Sequence, residues 1–311
     1  MIATLGRPAV LARNLARLER QSCRERAFEV VVVSDAAESD LDAVAEAIGT
    51  RPYPVRHLVA TEPGVSAARN RGWPEAHAPL ILFIGDDMLP TPSLVAEHLR
   101  WHEGFPQEEV AVLGHVRWAR ELRVTAFMRW LDHGIQFDYG SIHGREPSWW
   151  HFYAANASLH RSRLELAGGF DESFRFGYEE LDLAARMDAI GLRLVYNPRA
   201  LVEHLHPATI AGWRNRMATV AVAERQFVAK HPDADAYFHR LFSAAAALPP
   251  ARGRGAQLAG LIPRWAPIVG ERVWRSADAY FAQQLAPSFL ESWDEAAASA
   301  ARATPAVERP Q

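Results

Sequence analysis

Short apolar runs alternate with amphipathic ones through the first ninety residues. Leu80 to Ile84 is apolar on both faces, the pattern of a strand buried in a parallel sheet. Phe28 to Val33 reads as a second buried strand, and Met1 to Thr4 and Val55 to Val59 as shorter ones. Between them, Val10, Leu11, Leu15 and Leu18 recur at helical spacing behind Pro8, a residue suited to a first helical turn. Leu41 to Ile48 and Gly64 to Arg71 predict two more helices. Strand and helix in alternation predict a parallel sheet with right-handed crossovers.

Farther on, Pro92 to His102 and Glu179 to Ile190 carry helical patterns. Val110 to Trp118, Tyr153 to His160, Leu192 to Tyr196 and Leu201 to His206 read as strands, with Asn197-Pro198 ending the third of these. Arg120 to Trp150 is irregular and rich in Gly, His and aromatics, as functional loops often are. Helical pattern resumes over Ile210 to Lys230 and Asp233 to Leu241. Beyond Leu248-Pro249-Pro250 arginines alternate with Leu, Ile and Trp as far as Trp274. This pattern suits a helical appendage packed on the domain, or peripheral contact with a membrane surface. The alanine-rich end from Glu291 is expected to be disordered. The expected organisation is a domain over 1–242, an appendage over 243–290 and a tail over 291–311.

Composition narrows the field. The 311 residues are 49% hydrophobic and 23% charged, ordinary for a globular protein. A net charge of -3 gives no reason to expect a nucleic-acid partner. The single Cys23 excludes an intramolecular disulfide and a cysteine metal cage, and fits a cytoplasmic location. No membrane span and no signal peptide are expected.

The chemistry centres on Gly85-Asp86-Asp87, at the carboxyl end of the fourth strand, where open α/β sheets bind ligands. Adjacent carboxylates repel unless a cation lies beside them, which points to a hard metal with an anionic group beyond it. A solvated turn is the alternative. Asp35 ends the second strand; taken alone, it reads first as a cap of the following helix. Glu179, Asp182 and Arg186 share one helical face and are expected to form a surface ion network, while Glu180 points elsewhere and could serve as a general base. His204 and His206 project to one side and could complete a metal site. Trp149, Trp150, His151 and Tyr153 could stack on a sugar or simply pack the core. No Gly-x-Gly-x-x-Gly follows the first strand, no Gly-Lys-Ser/Thr loop exists, and Gly6-Arg7-Pro8 is too meagre for a nucleotidyltransferase loop.

Seven pieces in order resemble the family 2 glycosyltransferases of GT-A fold: Thr4-Leu5-Gly6-Arg7-Pro8; Val31 to Asp35; Gly64 to Gly72; Phe83 to Asp87; Ala155-Asn156 with Gly168 to Glu172; Tyr178 to Leu183; and His204 to Pro207. The resemblance covers roughly residues 1–230. It implies an α/β, nucleotide-diphospho-sugar transferase-like fold, with a mostly parallel central sheet flanked by helices and a C-terminal helical appendage. It implies an inverting transfer from a nucleotide-sugar donor to a glycan, lipid-linked or small-molecule acceptor, assisted by a divalent metal, Mn or Mg. Thr4, Arg7, Asp35, Arg69 and Asp86 would bind donor; Asp87 and His206 would hold the metal; Glu180 would be the base. Asn156, Trp150, Glu179, Asp182 and His204 would lie toward the acceptor. Gly85 stands where the family often has Asp, and Glu180 replaces the usual Asp. Those departures would also suit a non-catalytic nucleotide-sugar-binding scaffold on the same fold.

Overall fold

The computed structural model describes residues 1–23, 28–259 and 269–303. They divide into two compact units, Met1–Arg123 with Asp132–Pro207, and Val124–Leu131 with Ala208 onward.

The first unit opens with β1 (Ile2–Thr4), α1 (Pro8–Leu18), β2 (Val30–Ser34), α2 (Leu41–Ile48), β3 (Val55–Val59), α3 (Val65–Gly72) and β4 (Leu80–Ile84), the alternation expected from the apolar pattern. β1, β2 and β3 are parallel neighbours. Ile84 N donates to Met1 O (3.2 Å) and the Met1 amino group to Leu82 O (2.9 Å), the parallel pattern, so β4 continues the sheet beside β1. Every residue of β2 is buried, as a central parallel strand requires. α1 lays Leu11, Leu15 and Leu18 into the core, each contributing about 1.5–3 kcal/mol by leaving water.

Beyond β4 come β5 (Met88–Pro90), α4 (Leu94–Gly104), β6 (Val110–Trp118), β7 (Asn156–His160), α6 (Arg161–Ala167), α7 (Glu179–Asp188) and β8 (Arg193–His204), with α5 (Ala126–Leu131) in the other unit. The sheet order here is β4-β7-β6-β8-β5. β6 and β8 are parallel, whereas β7 runs antiparallel to both β4 and β6, and β5 antiparallel to β8. The whole order is therefore β3-β2-β1-β4-β7-β6-β8-β5.

Several elements differ from expectation. The two strands expected at Leu192 and Leu201 are one, because a register shift between Gly114 and His115 lets Pro198 to Ala200 bulge out without breaking the ladder. A Cβ on Gly114 would meet Asn156 Nδ2 at 2.2 Å and Ala200 O at 2.4 Å, so only glycine permits this close approach. β5 and α6 are too short to announce themselves, and α5 lies inside the stretch expected to be irregular.

Under β7 lies a buried polar cluster. His98 Nδ1 and His102 Nε2 both meet Ser158 Oγ, at 2.8 and 2.9 Å, and His98 Nε2 meets Asn156 Oδ1 at 3.0 Å. Burial holds His98 down at about 4 and His102 at about 3, so both are neutral in the fold. Below the ordinary value of 6.5 the unfolded chain takes up these protons first. Stability is then full above that pH and drains as pH falls toward the folded values, by about 2 kcal/mol per histidine at pH 5. The thermal midpoint is expected to drop by roughly 5 °C or more between pH 7.5 and pH 5. His102→Gln should flatten that acid limb in a melting series; an unchanged limb would remove the histidine from its cause.

The second unit is helical: α5, α8 (Ile210–Lys230), α9 (Tyr237–Ala246), α10 (Gly253–Ala259) and α11 (Val269–Ala303). Thr209 caps α8, its hydroxyl accepting from Gly212 N at 3.1 Å. Phe127 of α5 meets Phe281 of α11 edge-on and Trp130 meets it tilted, and Phe242 of α9 packs tilted against Phe289. Buried Glu224 accepts from Phe238 N and His239 N, at 2.7 and 2.8 Å, closing the N-terminus of α9. The helical unit thus takes in α8 and most of α9, which were expected inside a domain over 1–242, because α8 packs along α11 and α9 sets its aromatic rings against it. Residues 291–303, expected to be disordered, continue α11, where Trp293 stacks on Phe289 and His239. Of the arginine–apolar stretch, Trp274 is buried and Arg252, Arg272 and Arg275 are exposed; Leu261, Ile262, Arg264, Trp265 and Ile268 lie outside the described residues, as does the tail over 304–311. Among the described residues no helix is long and apolar enough to cross a membrane.

Candidate active site

β4 delivers Gly85-Asp86-Asp87 into a tight turn, closed by Met88 N donating to Gly85 O (3.1 Å). A Cβ on Gly85 would lie 3.0 Å from Met88 Cγ and 3.1 Å from Asp87 Oδ1. Glycine therefore keeps this turn from crowding the Asp87 carboxylate, a physical reason for its departure from the usual acid.

Three contacts assemble the site around that turn. Thr4, at the end of β1, donates its hydroxyl to Asp86 Oδ2 (2.8 Å). Arg7, the N-cap residue of α1, reaches Asp86 Oδ1 with Nη2 (2.6 Å) and pairs with Asp87 Oδ2 through Nη1. β5 runs on directly from the turn and pairs Met88 with His204, and Leu205 N donates to Asp87 O (2.8 Å). His204 Nε2 thereby sits 3.4 Å from Asp87 Oδ2. The His204 ring lies between two stacking partners, Trp118 at 5.1 Å and His206 at 5.9 Å. Both histidines thus fall on one side, as their spacing suggests, although the strand itself stops at His204 and His206 is exposed beyond it.

The carboxylates are electrostatically unlike. Burial raises the Asp86 carboxyl to about 6, with Arg7 pulling against it and Asp87 adding to it. Burial works in the same sense on Asp87, but His204, Arg7 and His206 outweigh it and hold that group below the usual carboxylate range. Asp87 is therefore the more readily ionised of the two.

Glu180 enters from the N-terminus of α7. Its Oε2 accepts from Ala154 N (2.8 Å), and Gly85 N donates to Ala155 O (3.3 Å). One short segment ahead of β7 therefore touches both the acid turn and Glu180. The preceding Tyr178 has φ 64, the only non-glycine in the left-handed region among the described residues. Such a conformation persists where the surroundings enforce it.

Asp35 is fully engaged with backbone, accepting from Ala37 N and Gly64 N at 2.8 Å each. Gly64, φ 126, begins α3, and a Cβ there would lie 3.0 Å from Arg175 Cα. α3 is then stitched to the segment before α7: Val65 N to Arg175 O (3.0 Å), Ser66 Oγ to Phe174 O (2.6 Å), Asn70 Nδ2 to Phe170 O (2.8 Å) and Arg69 Nη1 to Glu179 Oε1 (2.8 Å).

Four residues expected on the acceptor or donor side are occupied differently. Glu179 and Asp182 are buried, not part of a surface network: Glu179 pairs with Arg69, and Asp182 with Arg186 at 2.8 Å. Arg69, expected beside the donor, also lies over the Phe170 ring at 5.1 Å. Asn156, expected toward the acceptor, is wholly buried and bonded to His98, to His115 O (3.1 Å) and to Ala200 O (2.8 Å). Trp150, by contrast, is 54% exposed, open to stacking.

Asn14 is a site residue without a motif. Its amide faces Gly85 O, Asp86 O and Met88 O at 2.9, 3.3 and 2.8 Å, pinning the acid turn. Its signal is a polar residue at a buried position of the α1 stripe, beside Leu11, Leu15 and Leu18. Gln136 is a second, its Nε2 3.4 Å from His204 Nδ1.

The donor set at Asp87, one carboxylate oxygen beside an imidazole nitrogen, suits Mn2+ or Mg2+. Among the described residues no group of three or more His, Cys, Asp and Glu could hold a metal. Asp87 and His204 supply two ligand atoms, and a cation there would take further ligands from oxygens such as phosphates.

The model of glycosyl transferase family 2 matches residues 1–161. Validoxylamine A glucosyltransferase of Streptomyces hygroscopicus subsp. limoneus is 27% identical over 266 residues, covering 75% of this chain and 56% of that protein. The uncharacterized glycosyltransferase YfnE of Bacillus subtilis is 24% identical over 229 residues, 58% of each. The chain spans less than two thirds of the length of these curated relatives. Among solved structures, mannosyltransferase PcManGT from Pyrobaculum calidifontis, in complex with GDP-Man and Mn2+, superposes with a TM-score of 0.60 at 20% identity, over 94% of this chain and 86% of that one. TarS 1-349 of S. aureus, in complex with UDP, gives 0.55 at 12%, over 96% and 90%. Those two likenesses establish the fold, GT-A, and with the match over more than half its length the chain belongs to glycosyl transferase family 2.

Proposed function

We propose that the protein is an inverting glycosyltransferase, moving a sugar from a nucleoside-diphosphate sugar to an acceptor hydroxyl. The observation that carries this is the convergence at one sheet edge of Asp86 and Asp87, their partners Thr4, Arg7 and His204, and Glu180 tied to the same turn through Ala154 and Ala155.

Asp35 and Gly64 frame the nucleoside end, at the carboxyl end of β2. Asp86 serves the ribose side. Asp87, with His204 and His206, would hold a divalent cation beside the donor diphosphate. When bound, that cation supplies charge stabilisation for the departing diphosphate. Glu180 accepts the proton of the acceptor hydroxyl while that oxygen bonds to the anomeric carbon and the bond to the diphosphate breaks. One base suffices, because inversion needs no covalent glycosyl intermediate. Ala154 N fixes one Glu180 oxygen, and a fixed base is what displacement geometry demands. The exposed ring of Trp150 suits a ring-bearing acceptor, whether a glycan, a lipid-linked sugar or a small molecule.

A thermal-shift screen of nucleotide sugars with and without Mn2+ or Mg2+ tests the reading. One donor class should raise the midpoint by several degrees, and only with metal. No stabilisation by any nucleotide sugar in the presence of either metal would overturn it.

A further inference from the structure

The Asp86–Asp87 pair already has a cation of its own. The Arg7 guanidinium forks across both carboxylates, Nη2 to Asp86 Oδ1 at 2.6 Å and Nη1 to Asp87 Oδ2. The Asp87 oxygen it engages is the one that faces His204 Nε2 at 3.4 Å. That oxygen–nitrogen edge is where the donor set for a metal lies. Arg7 therefore competes with a divalent cation for the same carboxylate oxygen. Its charge also repels any cation entering there.

Arg7 is unlike the acids it neutralises. The acid side chains are 1% and 10% exposed and fixed by the turn, whereas Arg7 is 37% exposed. It stands at the mouth of α1 and belongs to no strand, so it can swing out without disturbing the sheet. Arginine's planar fork also binds phosphate oxygens in the same two-pronged way.

We propose that Arg7 is a resident counter-ion that occupies the metal's place in the donor-free protein and passes to the donor diphosphate when the divalent cation takes the acids. The proposal rests on the donor-site reading above. Two consequences follow from the exchange. The buried acid pair is never without a cation, before or after loading. Free metal binds poorly to the empty protein, so cation and nucleoside diphosphate load together.

The test is Mn2+ binding to the full, donor-free chain, followed by the loss of the free Mn2+ electron paramagnetic resonance signal. Arg7→Gln should bind Mn2+ roughly tenfold more tightly than wild type. Adding Asp87→Asn to that variant should abolish the gain. Arg7→Met, which keeps the apolar stem, provides the same readout should Arg7→Gln fail to fold. Folded variants that bind Mn2+ no more tightly than wild type, or a gain that survives Asp87→Asn, would overturn the assignment. Titrating wild type with Mn2+ and UDP, GDP or dTDP reports separately on the donor-site reading. Absence of a ternary complex with all three sinks that reading, whereas an unchanged donor-free affinity in Arg7→Gln sinks only the role of Arg7.

Discussion

Glu180→Gln is expected to lower kcat by about 10²–10⁴-fold with the donor dissociation constant within about twofold of wild type. The amide keeps the shape of the side chain, and its carbonyl oxygen can still accept from Ala154 N, the contact that fixes Glu180 in the wild type. What it loses is the capacity to take a proton. Loss of transfer with retained binding is the pattern of a group that acts in the transition state. Single-turnover kinetics with a cognate donor, beside calorimetry of donor binding, measures both sides. A variant that transfers at the wild-type rate would take the base role away from Glu180.

The second large effect is expected at Asp87. Asp87→Ala should cut transfer by roughly 10³-fold, the scale of a lost charge-stabilising contact at a leaving group, and should remove metal-dependent donor stabilisation. Asp86 keeps its bonds to Thr4 and Arg7 in this variant, so circular dichroism should show the fold intact. Wild-type transfer rates in purified Asp87→Ala would show that the metal assignment is wrong. The two variants separate by metal titration, because Glu180→Gln should respond to Mn2+ as wild type does and Asp87→Ala should not.

The strands of the first half were legible because each is a run of apolar residues with a helix pattern on either side, as in Val30 to Ser34 and Leu80 to Ile84. Asp86, Asp87 and His204 stood out by their places at strand ends, and Arg7 only through the family resemblance; the structure brings these four side chains together. What escaped was tertiary. β5 is three residues long and carries no periodicity, yet its pairing with β8 is what brings His204 to Asp87. Glu179 and Asp182 looked like solvent-facing acids because helical spacing says which residues share a face, not whether that face is covered. The structure covers it with Arg69 and Arg186. Asn156 sits beside the site in sequence motif but under the sheet in space, where its amide bridges the bulge at Gly114. The helical unit was drawn too small because α8 reads as an ordinary amphipathic helix, and nothing along the chain says that its partner is α11.

The late arrival of β8 has a consequence for the order of assembly. The polypeptide leaves the ribosome from its N-terminus and begins folding by parts. β1 to β4, with Arg7, Asp86 and Asp87, are complete long before His204 is made. Until β8 docks, β5 and β6 each lack β8 as a ladder partner. Through that interval the nascent acid turn has no imidazole beside it, and Arg7 is the cation at hand. The guanidinium fork can thus act as a folding chaperone within the chain, letting two adjacent carboxylates be buried at a time when their eventual companions do not yet exist.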